Sequence, residues 1–150
     1  MEIKVEKLKD ILPEVEELYS KHFKITASHQ DKFSSDINWA SYTKLEEFGW
    51  FHLITVRDSS RLIGYMWLLT CPNLDFQSTK IATASKYFID KDYWGKGLGK
   101  KLLEYTDIYA KRIGCRRICG STKISQGEAP IKMYEKAGYV PIETHWEKVL

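Results

Sequence analysis

The chain has 150 residues, 43% hydrophobic and 29% charged, with a net charge of +3. That composition describes one globular domain, soluble and large enough for a real core. No apolar run approaches the roughly 20 residues a membrane-spanning helix needs, and Met1-Glu-Ile-Lys-Val5 lacks the apolar core of a signal peptide, so a cytoplasmic location is the default expectation and no membrane partner is expected.

Ile3 and Val5 alternate with charges and predict a short first strand. Leu8, Ile11, Leu12, Val15, Leu18, Tyr19 and His22 recur at helical spacing. Pro13 suits a first helical turn, which puts the helix start between Asp10 and Pro13. Residues 24–36 are polar, lack periodicity and predict a loop. A second helix is predicted over Ile37–Phe48, stopped at Gly49. Trp50–Val56, the turn Arg57–Arg61 and Leu62–Thr70 predict a hairpin whose second strand, nearly all apolar, lies centrally in the sheet. After a polar connection, Lys80–Ile89 predicts a fourth strand.

Strand four runs into Asp92-Tyr-Trp-Gly-Lys-Gly-Leu-Gly-Lys-Lys101, with glycines at alternate positions 95, 97 and 99. A helical stripe follows: Leu98, Leu102, Thr106, Tyr109, Ile113, with Gly114 as its C-cap. A strand, a glycine-rich turn and a helix can bind phosphate, because glycine lets backbone approach an anion and a helix N-terminus presents free N–H groups. The same pattern also makes ordinary connections. Charge favours the anion: residues 86–117 hold 9 Lys/Arg against 4 Asp/Glu, whereas residues 1–50 hold 7 against 10. The sign alone does not separate a nucleotide from nucleic acid, but the helix has little aromatic interleaving, which argues against nucleic acid.

Arg116–Cys119 predicts a fifth strand, and Ser125-Gln-Gly-Glu128 has capping-box spacing ahead of a helix running through Lys136. Tyr139–Ile142, extended to about Trp146, predicts a final strand whose open edge would suit pairing with a second copy. Cys71, Cys115 and Cys119 form no metal-like framework and read as buried reduced thiols. His22, His29 and His145 are too scattered for a metal site. The order β-α-α-β-β-β-α-β-α-β predicts a mixed α/β (α+β) sheet with helices on both faces.

Tyr93-Trp-Gly-Lys-Gly-Leu-Gly-Lys-Lys-Leu-Leu103 resembles the acetyl-coenzyme A signature of the GCN5-related N-acetyltransferases. Some thirty residues on, Ala129-Pro-Ile-Lys-Met-Tyr-Glu-Lys-Ala-Gly-Tyr139 resembles that family's second motif, and the resemblance is strong over residues 80–142. Gly138-Tyr-Val-Pro-Ile-Glu-Thr144 is also similar to uncharacterised phage-encoded members. The resemblance implies a mainly antiparallel sheet and transfer of acetyl from acetyl-CoA to a primary amine by direct attack. It implies a pyrophosphate cradle at Trp94, Gly95, Lys96, Gly97, Leu98, Gly99 and Lys100, and a pantetheine arm along Phe88 and Ile89. Ser125 and Gln126 fall beside the position where the family often carries asparagine, and Tyr134 stands where a tyrosine protonates the leaving thiolate.

The chain departs from the pattern at Trp94, where the family has Arg or Gln, and at Pro130, where alanine is common. Its fourth strand, Ile81-Ala-Thr-Ala-Ser-Lys86, lacks the glutamate that serves many members as base. Water held by Thr83 or Ser85, or else His52, are the substitutes. Acceptor contacts would come from His29–Tyr42, including Phe33 and Trp39, and from the loop after Thr70. A catalytically weak acyl-CoA-binding or regulatory module of the same fold, and a nucleic-acid-associated modifying protein, stand as the alternatives.

Overall fold

In a computed structural model, residues 1–150 form a five-stranded sheet with helices on both faces. The strands are β1 (Glu2–Glu6), β2 (Phe51–Asp58), β3 (Arg61–Leu69), β4 (Ile81–Ile89) and β5 (Arg117–Gly120). The helices are α1 (Leu8–Thr26), α2 (Trp39–Glu47), α3 (Leu98–Arg112) and α4 (Glu128–Lys136). Strand order follows the chain, β1-β2-β3-β4-β5. All pairs are antiparallel except β4–β5, which is parallel because α3 carries the chain across the sheet.

β3 lies at the centre, as its apolar run predicts, and its side chains divide between the two faces, with a bulge at Ile63 that shifts the alternation after Leu62. Leu62, Tyr65 and Trp67 join Phe51 and Leu53 against Leu8, Val15 and Leu18 of α1. Ile63, Met66 and Leu68 join Ile54 and Val56 against Leu98, Leu102, Leu103 and Ala110 of α3. Trp67 is fully buried and anchors an aromatic cluster with Tyr19, Tyr42 and Phe51.

β4 pairs with β5 over only four residues, from Ile81↔Arg117 to Ala84↔Gly120. Beyond that point the two strands part, and residues 85–89 have β3 on one side and no strand on the other. A bulge opposite Trp67/Leu68 leaves Ser85 as the extra residue on β4. This parting opens the sheet's C-terminal edge.

Three expectations need correction. α1 begins at Leu8, but Ile11 (φ −130°, ψ 19°) leaves the helical region, so a short turn precedes the main helix. Pro13 is the reason: it has no N–H to donate back, and its ring crowds the preceding turn. Residues 24–26, expected as loop, extend α1. The last predicted strand does not form; residues 139–150 are irregular. Pro141 lacks a ladder donor, and Val140, Ile142 and Trp146 stay exposed because β5 is too short to offer them a covered face. The outer edge of the sheet is therefore β5. Of the cysteines, Cys115 is buried, Cys119 half-buried and Cys71 exposed, and all three are free thiols.

One polar cluster fixes the far edge. Arg57 is almost wholly buried; it donates to Glu6 at 2.7 Å and forks onto Glu14 at 2.7 and 3.0 Å. Burial opposes ionisation of Glu6, but hydrogen bonds from Arg57 and Thr55 outweigh it and hold its pKa below the usual value of 4.5. That contribution is complete above pH 4.5 and is lost as the pH falls through the depressed value. Arg57→Ala strands two carboxylates; the expected loss is roughly 2–4 kcal/mol in urea unfolding, discounted because Glu14 is half-exposed. A loss below about 0.5 kcal/mol would contradict this account.

Candidate active site

The parting of β4 from β5 forms one wall of a cleft of about 1440 Å³. Its remaining walls come from the end of α1, residues 25–33, the glycine turn, residues 121–126, α4 and the segment 147–150. A separate hollow of about 370 Å³ lies between α1 and residues 35–39.

The glycine turn is held by short-range bonds. Asp90, nearly buried, caps a 3-10 turn at Lys91–Tyr93 by accepting from the Asp92 N–H at 3.3 Å. Lys21 and Arg61 approach its carboxylate at 3.5 and 3.6 Å. The Trp94 indole N–H donates to the Ile89 carbonyl at 2.7 Å and staples the turn to the end of β4. Trp94 thus supplies a structural tie where the motif's usual residue would offer a guanidinium or amide. Gly95 (φ 75°) and Gly97 (φ 72°) take left-handed angles that only glycine adopts cheaply.

Gly97 is the N-cap of α3 and gives no side-chain cap. The first N–H groups of α3 therefore lack both an intrahelical and a capping partner, and the helix dipole adds to them. Gly99 serves a different need. A Cβ there would run into the Tyr87 hydroxyl and lie 3.2 Å from Met133 Sδ. The cradle's amides and the Lys100 side chain line the same cleft, which suits a pyrophosphate.

Tyr134 stands where the strands part. Gly120, the last residue of β5, makes room for it: a Cβ there would meet the Tyr134 hydroxyl at 2.6 Å. The ring packs edge-on against Tyr139, whose hydroxyl donates to Asp107 at 2.6 Å. The Tyr134 hydroxyl bonds to no protein group, and burial, with Asp107 nearby, raises its pKa. It is therefore protonated at neutral pH with its proton free to donate.

Phe88, Ile89, Trp94, Gly95, Gly97, Leu98, Gly99, Lys100, Ser125, Gln126 and Tyr134 all line this cleft. Lys96 does not; its ammonium turns back to the Asp92 carbonyl at 3.1 Å and over the Tyr93 ring. Ser125 and Gln126 sit in a 3-10 turn in which Gln126 Oε1 accepts from the Lys123 N–H at 3.3 Å, so Ser125 does not cap α4, which starts after Gly127, whose φ of 71° breaks the chain direction. Of the expected acceptor residues, His29 and Phe33 line the cleft, whereas Trp39 packs on Trp67 and lines the smaller hollow. The loop after Thr70 lies away from it.

Among the substitutes for a base, Ser85 lines the cleft and Thr83 does not. His52 is on the opposite face, between the Tyr109 hydroxyl at 2.8 Å and Thr70 Oγ1 at 3.2 Å, packed against α3. It is a satisfied structural histidine with no access to the cleft. The histidine that does line the cleft is His22, which the sequence places only on the α1 stripe. Its ring stacks on Phe88 at 4.7 Å, and its Nδ1 lies 2.8 Å from the Tyr65 hydroxyl. Tyr65 is fully buried and has no other acceptor, so its O–H donates to Nδ1 and the ring proton sits on Nε2.

Burial, with repulsion from Lys86 and Lys123, pushes the His22 pKa down to about 4. The folded protein therefore excludes a proton that the unfolded chain binds below about 6.5. Stability from this residue is complete above pH 6.5 and declines toward pH 4, by about 1.4 kcal/mol per unit. Urea unfolding between pH 7 and 5 checks it: His22→Gln should flatten the slope, and an unchanged slope would contradict the assignment.

No curated protein matches the chain in sequence. An aminoglycoside acetyltransferase from an uncultured soil metagenomic sample superposes with a TM-score of 0.78 at 15% identity, covering 99% of this chain and 95% of that one. A ribosomal-protein-alanine N-acetyltransferase from Brucella melitensis gives 0.74 at 14% identity over 100% of both chains. A Trypanosoma brucei acetyltransferase gives 0.68 at 19% identity over 99% of both. At these identities the likeness establishes the fold. The family model described as acetyltransferase (GNAT) matches residues 12–139, which include the glycine turn, the parted strands and Tyr134. The chain belongs to the GNAT acetyltransferase family.

Proposed function

We propose that the protein transfers an acetyl group from acetyl-CoA to the amine of an acceptor by direct attack. The observation that carries this reading is the convergence of an uncapped α3 N-terminus, an unpaired stretch of β4 and a free, protonated Tyr134 hydroxyl on one cleft. Family membership supports an acetyl donor of this kind, since the family generally uses acetyl-CoA.

Bound acetyl-CoA would supply an activated thioester carbonyl and a thiolate leaving group. The α3 amides and Lys100 bind the pyrophosphate, and the open edge of β4 near Phe88 and Ile89 orients the arm. Tyr134 holds the proton that the departing sulfur takes as the C–S bond breaks and the C–N bond forms. The amine's own proton passes to water, with Ser85 as the hydroxyl placed to orient it. His22, carrying its proton on Nε2, orients the acceptor as a donor.

The test is thiol release from acetyl-CoA across a panel of amines and peptides. Acceptor-dependent release supports the proposal. Binding of acetyl-CoA with no turnover on any acceptor would favour the acyl-CoA-binding module, a reading supported by the absence of a carboxylate on β4.

A further inference from the structure

The acceptor end of the cleft has an unusual charge. Four lysines line the whole cleft: Lys86, Lys100, Lys123 and Lys148. Its one carboxylate side chain, Glu147, is already engaged with His29 Nε2 at 2.8 Å. Lys100 belongs to the glycine turn. Lys86 and Lys123 belong to the opposite end, beside His22, and both act on that histidine as nearby positive charge.

Lys86 is the unexplained group. It projects from β4 between the bulge at Ser85 and Phe88, on the α1 side of the sheet. Its ammonium lies 5.2 Å from the centre of the Trp67 ring and 5.8 Å from that of Tyr19. It donates no hydrogen bond and makes no ion pair; two aromatic faces are its only partners. Lys123 is exposed, donates at 2.6 Å to the Thr26 carbonyl and makes no ion pair. Aromatic faces compensate a cation only in part, and a half-buried ammonium without a counter-ion is costly. Burial and Lys123 accordingly hold the Lys86 pKa below its ordinary value. An anion brought by the substrate would relieve Lys86, with Lys123 as a second cation at the same end of the cleft.

We infer that the acceptor is an amine carrying an anionic group, a carboxylate or a phosphate, which is seated by Lys86 with Lys123 while its amine faces the parting of β4 and β5. This rests on the acetyl-transfer reading above and narrows its substrate class. Polycationic acceptors are disfavoured, because the cleft offers no free carboxylate side chain to receive a second ammonium. Lys86 is then a specificity-determining residue. His22 completes the seat through its Nε2–H.

Matched acceptors isolate the anion. Thiol release would be compared for β-alanine against β-alaninamide, aminoethyl phosphate against ethanolamine, and glycyl-glutamate against glycyl-glutamine, with spermidine as the polycation. The expected result is that the anionic member of at least one pair has a kcat/KM roughly ten- to hundredfold above its neutral counterpart, the size of one charge-assisted hydrogen bond. The pairs also separate carboxylate from phosphate. Lys86→Met should collapse that ratio toward one, Lys86→Arg should keep it, and Lys86→Glu should turn the preference toward spermidine. A merely structural lysine would change all acceptors together. Preference of the wild type for neutral or cationic amines, or an unchanged ratio in Lys86→Met, would overturn the inference while leaving acetyl transfer intact. Failure to bind acetyl-CoA in calorimetry would overturn both.

Discussion

Tyr134→Phe should lower kcat for acetyl transfer by roughly 10²–10⁴-fold, the usual value of a positioned general acid. Acetyl-CoA affinity should stay close to wild type, because the ring remains and only the hydroxyl goes. The Tyr134 hydroxyl bonds to no side chain or backbone group, and the residue lines the cleft, so its proton is available to a bound thiolate. Its raised pKa keeps the acid form present through neutral pH, so loss of the proton donor should lower wild-type activity only above the ordinary tyrosine value of 10, while the acid limb is set by protonation of the acceptor amine. A second substitution reaches the same atom without removing it. Gly120→Ala places a Cβ 2.6 Å from the hydroxyl and 2.8 Å from Cζ, which forces the ring aside. It should reproduce most of the Tyr134→Phe defect. Single-turnover rates of thiol release measure both. Unchanged rates in Tyr134→Phe would remove the acid assignment.

Gly99→Val should have the largest effect on the donor end. The first turn of α3 rests directly on the Tyr87–Met133 contact, which ties β4 to α4 at 3.5 Å. A side chain at Gly99 would occupy the space of the Tyr87 hydroxyl and press on Met133 Sδ. Either Tyr87 leaves, or the amide cradle moves off β4. Overpacking of this kind costs about 1–3 kcal/mol, and displacement of the cradle should weaken acetyl-CoA binding at least tenfold. Gly97→Ala is the control. Its Cβ meets nothing within 4 Å, so only the φ of 72° is penalised, by about 1–2 kcal/mol of stability. Thermal unfolding together with a binding titration separates the two. If Gly99→Val bound the donor as tightly as wild type, the close approach of α3 to β4 would not be what shapes the cradle.

Much of this site is written locally. The alternate glycines, the strand before them and the helical stripe after them each follow from short-range backbone preferences, and the structure places them as read. Phe51 and Leu53 point one way, so alternation already implies that His52 points the other. What alternation does not supply is where the opposite face leads, which is under α3 rather than into the cleft. His22 shows the converse. Helical spacing puts it on the buried stripe of α1, but only the tertiary fold shows that this end of α1 overhangs the parted strands.

Lys86 was hidden by the bulge. One extra residue at Ser85 reverses the parity of β4, so residues on either side of it cannot be assigned to a face by counting from one end. The final strand failed for a related reason. Tyr139–Ile142 has strand-like composition, but a strand also needs a partner of adequate length, and β5 ends after four residues. Pro141 removes one of the few donors that such a pairing would have used.

The central claim is that the glycine turn and the parted strands hold acetyl-CoA, and calorimetric titration of the wild-type chain with acetyl-CoA tests it most directly. The account predicts saturable binding of one acetyl-CoA per chain, weakened at least tenfold by Gly99→Val and left near wild type by Tyr134→Phe. No saturable heat at millimolar acetyl-CoA, or equal affinity in Gly99→Val, would contradict it.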